Sequence, residues 1–331
     1  TTSFTDVENL TGGAGVDQFT FDAALTGRAF GDGQDDVFNI NDNGSAGEID
    51  GGAGTNDVVS YASQSAGLEI NTNGFTNVES LVGSGFDDTI NLNSDQNGDF
   101  TVDGGDGDDD FVAETSSNVA GNLEVSNVES AAIDANINAT NVTLDVAGEV
   151  TTDGGVITAL ALDVDSSGGQ ALETSVQTFT GTNSGTGNMS LSNTGALTVQ
   201  DVTQSGSGNL AITTDGNITQ SGDVTSGGSI VMSASNGSLS MDDGTNAVSS
   251  DGDITYTGDG DVTIGTLRTC VVAECVDADN GVVSVFSENG DVVGNNNLVH
   301  VTGATAVIDA AGNSGVDLAN PLVFDGMLTD V

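Results

Sequence analysis

Short apolar runs recur at a nearly constant distance along the chain, each entered through a turn of glycine with Asn, Ser or Asp. Gly187-Asn-Met189-Ser-Leu191, Gly208-Asn-Leu210-Ala-Ile212, Gly228-Ser-Ile230-Val-Met232 and Gly252-Asp-Ile254-Thr-Tyr256 are four of them. With Met189, Leu210, Ile230 and Ile254 taken as equivalent, the spacings are 21, 20 and 24 residues. Alternation of apolar and polar residues marks a strand with one buried face. A unit of this length holds only a few short strands and cannot bury its apolar face alone, so it must stack on its neighbour. The pattern predicts an all-β chain, a right-handed parallel β-helix or β-roll solenoid with coils of about 20 residues. At a strand spacing of roughly 4.8 Å, about 15 coils would give a rod of roughly 70 Å.

Composition agrees with packed strands. Hydrophobic residues make up 36% of the 331 and are spread along the chain, unlike the apolar-poor composition of a disordered acidic tail. Gly, Thr, Ser, Asn and Asp fill the spaces between runs, and these residues favour turns over helix interiors. A leucine-rich repeat would need a Leu-x-x-Leu-x-Leu pattern that is missing. A sandwich or a string of immunoglobulin-like domains would use the same alternation. It is harder to reconcile with regular spacing, one Pro and no Trp.

Charge excludes several functions. Fifty residues are Asp or Glu against two arginines, Arg28 and Arg268, and no lysine, for a net charge of −48. Nucleic acid requires a basic face, which two arginines cannot make. An acidic membrane would repel the chain, and no run of 18 apolar residues is present to insert. His300 is the only histidine, so there is no Ser-His-Asp relay and no His-rich metal site. His300 reads as an ordinary surface or coil residue, and the two arginines as partners of nearby carboxylates.

The first 130 residues hold 25 of the 50 carboxylates and a recurring glycine-aspartate turn. Its copies are Gly12-Gly13-Ala-Gly15-Val-Asp17, Phe30-Gly31-Asp-Gly33-Gln-Asp35-Asp36, Gly51-Gly52-Ala-Gly54-Thr-Asn56-Asp57, Val82-Gly83-Ser-Gly85-Phe-Asp87-Asp88 and Gly104-Gly105-Asp106-Gly107-Asp108-Asp109. Over residues 4–115 this resembles the RTX, or haemolysin-type, nonapeptide G-G-x-G-x-D-x-U-x. The resemblance implies Ca2+ bound by backbone carbonyls of the glycine turns and by the aspartates. The residues it points to are Gly12, Gly13, Gly15, Asp17, Gly31, Gly33, Asp35, Gly52, Gly54, Asp57, Gly83, Gly85, Asp87, Gly105, Gly107 and Asp109. Calcium takes six to eight hard oxygens, and clustered aspartates such as Asp106, Asp108, Asp109 and Asp110 repel one another without a cation.

The copies depart from the family pattern. They start at residues 12, 30, 51, 82 and 104, about one per coil, so ions are expected along one edge only. The third has Asn56 where the motif aspartate belongs, the second and fourth lack the first glycine, and in the fourth either Asp87 or Asp88 fits. The competing reading is that all five are solvent turns of an acidic protein.

A leader precedes two of the turns, Phe4-Thr-Asp-Val-Glu-Asn9 and Phe75-Thr-Asn-Val-Glu-Ser80. It returns as Asn127-Val-Glu-Ser130, with no glycine turn after it. This places a module change near residue 130, dividing the chain into 1–130 and 131–331. The stretches Gly195-Ala-Leu-Thr-Val199 through Ile264-Gly-Thr-Leu267 and Ala310 to Val323 are similar to coils of filamentous haemagglutinin-type exoproteins. Over residues 140–331 that resemblance implies an exported bacterial parallel β-helix of the kind used in adhesive fibres. In an exported protein Cys270 and Cys275 are expected to form a local disulfide. Starting at Thr1 without a signal peptide, the chain reads as a segment or processed subunit of something longer. Its ends would be covered by flanking segments or other copies.

The sequence supports three functional readings. The first is a structural or adhesive segment of a bacterial surface protein, secreted and stiffened by calcium, whose partner is a polysaccharide or protein receptor on a host cell or surface. The second is a subunit assembling end to end into an extracellular filament or surface layer. The third is a polysaccharide-degrading β-helix enzyme, for which the basic residues that bind an acidic sugar are nearly absent. No catalytic residue is assigned.

Overall fold

A computed structural model describes residues 7–269, 281–295, 300–310 and 323–330, with His300 and 323–330 as backbone only. Cys270 and Cys275 lie outside the described residues. Among the described residues the strand pairs with a defined register are parallel, and the only helical element is one 3-10 turn, Thr72–Gly74. No helix there is long and apolar enough to cross a membrane. The chain forms two compact units, Thr1–Ala159 and Leu160–Val331. Each is a parallel β-solenoid, as the periodicity predicts.

In the first unit one strand stack runs through Leu10–Gly13, Ala24–Asp32, Ser45–Asp50 and Phe75–Thr76. A second runs through Gln18–Phe21, Val37–Ile40, Val58–Ser60 and Ser80–Val82, and continues into Phe100–Asp103 and Leu123–Ile133. Register puts like on like. Phe19, Phe38, Val59, Leu81, Val102, Val125 and Leu144 form one unbroken column. The Phe19 and Phe38 rings stack with centroids 4.8 Å apart. All but Phe19 are buried, each contributing about 1.5–3 kcal/mol. The column passes residue 130 without a break.

In the second unit Met189, Leu210, Ile230 and Ile254 are in register, as their spacing predicts, and Val283 and Ala306 extend the column. Leu191, Ile212, Met232, Tyr256, Val285 and Ile308 form the neighbouring one. One corner of the interior is polar: Asn183, Gln204, Ser226 and Ser249 stack in register and are buried. Their side chains satisfy carbonyls of the neighbouring turns. Asn183 donates to Gly187 O at 2.8 Å, Gln204 to Gly185 O at 2.9 Å, Ser226 to Gly208 O at 3.2 Å and Ser249 to Gly228 O at 2.9 Å.

Candidate metal centre

Four successive stacked strands of the first unit are each preceded by an acidic residue. Asp17, Asp36, Asp57 and Glu79 precede the strands beginning at Gln18, Val37, Val58 and Ser80, and are therefore stacked. The same relation places Leu68, Asp88, Asp109 and Glu129 in a second column. Each backbone N–H is received by the carboxylate one coil later. Asp17 N donates to Asp36 Oδ1 at 2.6 Å, Asp36 N to Asp57 Oδ1 at 2.6 Å and Asp57 N to Glu79 Oε2 at 2.8 Å. Leu68 N donates to Asp88 Oδ1 at 2.8 Å, Asp88 N to Asp109 Oδ1 at 2.7 Å and Asp109 N to Glu129 Oε2 at 2.5 Å.

A glycine column runs beside them: Gly12, Gly31 and Gly51 lead to Asn77, and Gly83 and Gly104 lead to Asn127. Close approach demands glycine. A Cβ on Gly31 would lie 2.1 Å from Asp36 Oδ2 and 2.1 Å from the carbonyl oxygen of Gly51. On Gly104 it would lie 2.0 Å from the Asn127 carbonyl and 2.8 Å from Asp109 Oδ2.

The second carboxylate oxygens decide what this arrangement can do. Asp36, Asp57 and Asp109 are 0% exposed, and Oδ2 of each is buried without a hydrogen-bond partner. Asp88 differs, since its Oδ2 accepts from Ser84 N at 2.6 Å. Burial pushes the Asp57 carboxyl above its ordinary value, and the charges of Glu79, Asp36 and Asp35 push the same way, against the N–H bond from Asp36. Asp109 is raised for the same reason, with Asp88, Glu129 and Asp87 adding to burial. A buried, unpartnered carboxylate oxygen is costly unless a proton or cation meets it. Among the described residues no three strong ligand side chains converge on one point. The oxygens available are one on each of Asp36, Asp57 and Asp109, plus glycine-turn carbonyls. That all-oxygen set suits a hard cation such as calcium rather than a thiolate- or imidazole-seeking metal.

Of the sequence-predicted ligands, Asp17, Asp57 and Asp109 lie in the buried columns. Asp35 and Asp87 do not: they are exposed at the turn. There Asp35 Oδ1 accepts from Thr55 N at 2.9 Å and Asp87 Oδ1 from Asp108 N at 3.1 Å. Their neighbours Asp36 and Asp88 take the column positions. Register also makes Gly31 and Gly83 the first glycines of their turns, so no copy lacks one. Gly13, Gly33, Gly52 and Gly105 come after these, with Gly52 and Gly105 at φ of 106° and 108°. Gly15 and Gly85 have open space where a Cβ would project, whereas Gly54 abuts the Asp57 carboxylate and Gly107 the backbone of Phe86. Glu79 and Glu129 escaped sequence reasoning. Alignment from the strand, as acidic-x-apolar, would have found them along with Asp36 and Asp88.

No protein-family model, curated protein or solved structure matches this chain. Of the two arginines, Arg28 pairs with Glu48 and lies 6.0 Å from the Phe30 ring.

Proposed function

We propose that the chain is a structural, adhesin-type segment of a bacterial extracellular surface protein, a β-solenoid stiffened by calcium. The observation that carries the calcium part is the set of buried, unpartnered oxygens on Asp36, Asp57 and Asp109. These three carboxylates and the carbonyls of Gly51, Asn77 and Asn127 would hold the ion. Bound there, it supplies the positive charge that the columns lack and links one coil to the next. The resemblance to RTX turns supports the same reading, and the haemagglutinin-type resemblance supports export. The stacked interior supports a mechanical role, because each coil is held by its neighbours through backbone bonds along its strands. The partners of such a segment are flanking coils, other copies, and a surface polysaccharide or protein receptor.

Thermal unfolding with calcium and then with chelator tests the reading. Calcium raises the melting temperature, with the loss on chelation confined by hydrogen exchange to coils containing Asp36, Asp57 and Asp109. An unchanged melt and unchanged exchange overturn the calcium assignment.

A further inference from the structure

The two Asn-Val-Glu tripeptides, 50 residues apart, make the same contacts. Asn77 and Asn127 stand in the glycine column, at φ of 49° and 54°. Glu79 and Glu129 stand in the aspartate column. A column glycine and its aspartate are separated by four residues between Gly31 and Asp36, and by four between Gly104 and Asp109. In the tripeptide one residue does this work, Val78 or Val128, each buried. The protruding turn is gone, and glutamate's extra methylene reaches the N–H that the next aspartate would have received.

The surrounding bonds match. Asn77 Nδ2 donates to Asp50 Oδ1 and Asn127 Nδ2 to Asp103 Oδ1, both at 2.8 Å. Glu79 N and Ser80 N both donate to the Asp57 carbonyl at 3.0 Å; Glu129 N and Ser130 N donate to the Asp109 carbonyl at 2.7 and 3.2 Å. This reverses the column's direction. The N–H of each column aspartate points to a carboxylate one coil later, whereas the glutamate N–H points back to a backbone carbonyl one coil earlier. The chain of N–H to carboxylate bonds therefore stops at glutamate.

We infer that Asn-x-Glu is the closing unit of a carboxylate column, and that Glu79 and Glu129 are positioning residues that hold Asp57 and Asp109, the last aspartates, in place. Its consequence for cation binding rests on the calcium reading; the closure itself does not. Each column then takes a fixed number of ions, ending at the coil below the tripeptide. Glutamate is half-buried, so its own charge stays hydrated while its oxygen fills the last acceptor position.

The test uses the full chain with Glu79→Ala, Glu79→Gln, Glu129→Ala and Glu129→Gln. A glutamine retains an acceptor oxygen and loses the charge. Residue-resolved amide exchange reads the closure: Glu79→Ala speeds exchange at Asp57 by about tenfold or more and leaves Asp109 unchanged, Glu129→Ala does the reverse, and both glutamine variants keep the protection. Calorimetric titration with calcium reads the consequence: the alanine variants lose affinity by about tenfold at the affected column, and the glutamine variants keep the full stoichiometry. Unchanged exchange at Asp57 and Asp109 in the alanine variants overturns the closure. Glutamine variants that stay protected yet lose calcium as the alanine variants do overturn the positioning role, because the glutamate would then be a ligand. If the unaltered protein binds no calcium, the calcium reading falls and the exchange result still decides the closure.

Discussion

The backbone N–H of Asp36 donates to Oδ1 of Asp57 at 2.6 Å, across 21 residues of sequence, and both side chains are 0% exposed. Two carboxyls are thus held in adjacent coils away from water, and the neighbouring charges that act on Asp57 are those of Glu79, Asp36 and Asp35. The arrangement persists only where something offsets the repulsion, and that requirement generates most of what can be tested.

The glycines beside the column are not equivalent. Gly31→Ala would drive a methyl to 2.1 Å from both Asp36 Oδ2 and the Gly51 carbonyl. Neither is the end of a flexible chain, so the coils must separate, at a cost of about 1–3 kcal/mol. Gly15→Ala and Gly85→Ala meet nothing within 4 Å and are expected to be near neutral. Urea midpoints of the three variants check this; equal losses at all three would show that the turns, rather than the column, require glycine.

Removing one buried charge should have opposite effects with and without the ion. Asp57→Asn retains an acceptor for the Asp36 N–H and gives the adjoining carbonyls a donor. In chelator the variant is expected to melt above the unaltered protein, and the calcium-induced rise should shrink. A variant that is less stable in chelator and still gains fully from calcium would show that Asp57 carries no unfavourable charge.

The ion-free protein should gain stability on mild acidification. Burial raises the folded-state carboxyls of Asp57 and Asp109 above the ordinary 3.8. Between that value and the raised one, the folded chain binds more protons than the unfolded chain, so stability falls as pH rises through the window. The contribution of these two groups is fully present below the ordinary value and is lost above the folded one. Unfolding in chelator, tracked from neutral pH down towards the ordinary value, should therefore show a midpoint that rises through this window, flattened by Asp57→Asn with Asp109→Asn. A midpoint that falls throughout would mean that the columns are ionised without penalty.

The architecture was legible because it depends on a local, repeated signal. Alternation around Met189, Leu210, Ile230 and Ile254 states which side chains face inward, and equal spacing states that they stack. The columns were less legible because their bonds join residues about 20 apart and carry no local mark. Counting from glycine selects Asp35 and Asp87; counting back from the strand selects Asp36 and Asp88, and only register shows that the strand governs. Asn77-Val-Glu79 and Asn127-Val-Glu129 read as leaders of the strands after them, because sequence order is seen before stacking order. Their side chains in fact complete the coil beneath.

In the second unit the interior polar groups offer a test free of any ion. Tyr256 is fully buried in a column of apolar residues, and its hydroxyl donates to Gln220 Oε1 at 2.6 Å, 36 residues away. The Gln220 amide in turn donates to the carbonyls of Gly222 and Asn246 at 3.0 Å. Burial drives the Tyr256 phenol far above its ordinary pKa, so it remains a donor at any pH the fold survives. Tyr256→Phe keeps the packing and strands a buried amide oxygen, which costs about 1–3 kcal/mol. Pairing it with Gln220→Met removes the stranded oxygen; the Gly222 and Asn246 carbonyls lose their donor in the Gln220 single and in the double variant alike, so that cost cancels in the cycle and the double variant should be less unstable than the sum of the singles. Denaturation midpoints of the two single variants and the double variant complete the cycle; a double variant as unstable as the sum of the singles would show that the hydroxyl and the amide act independently.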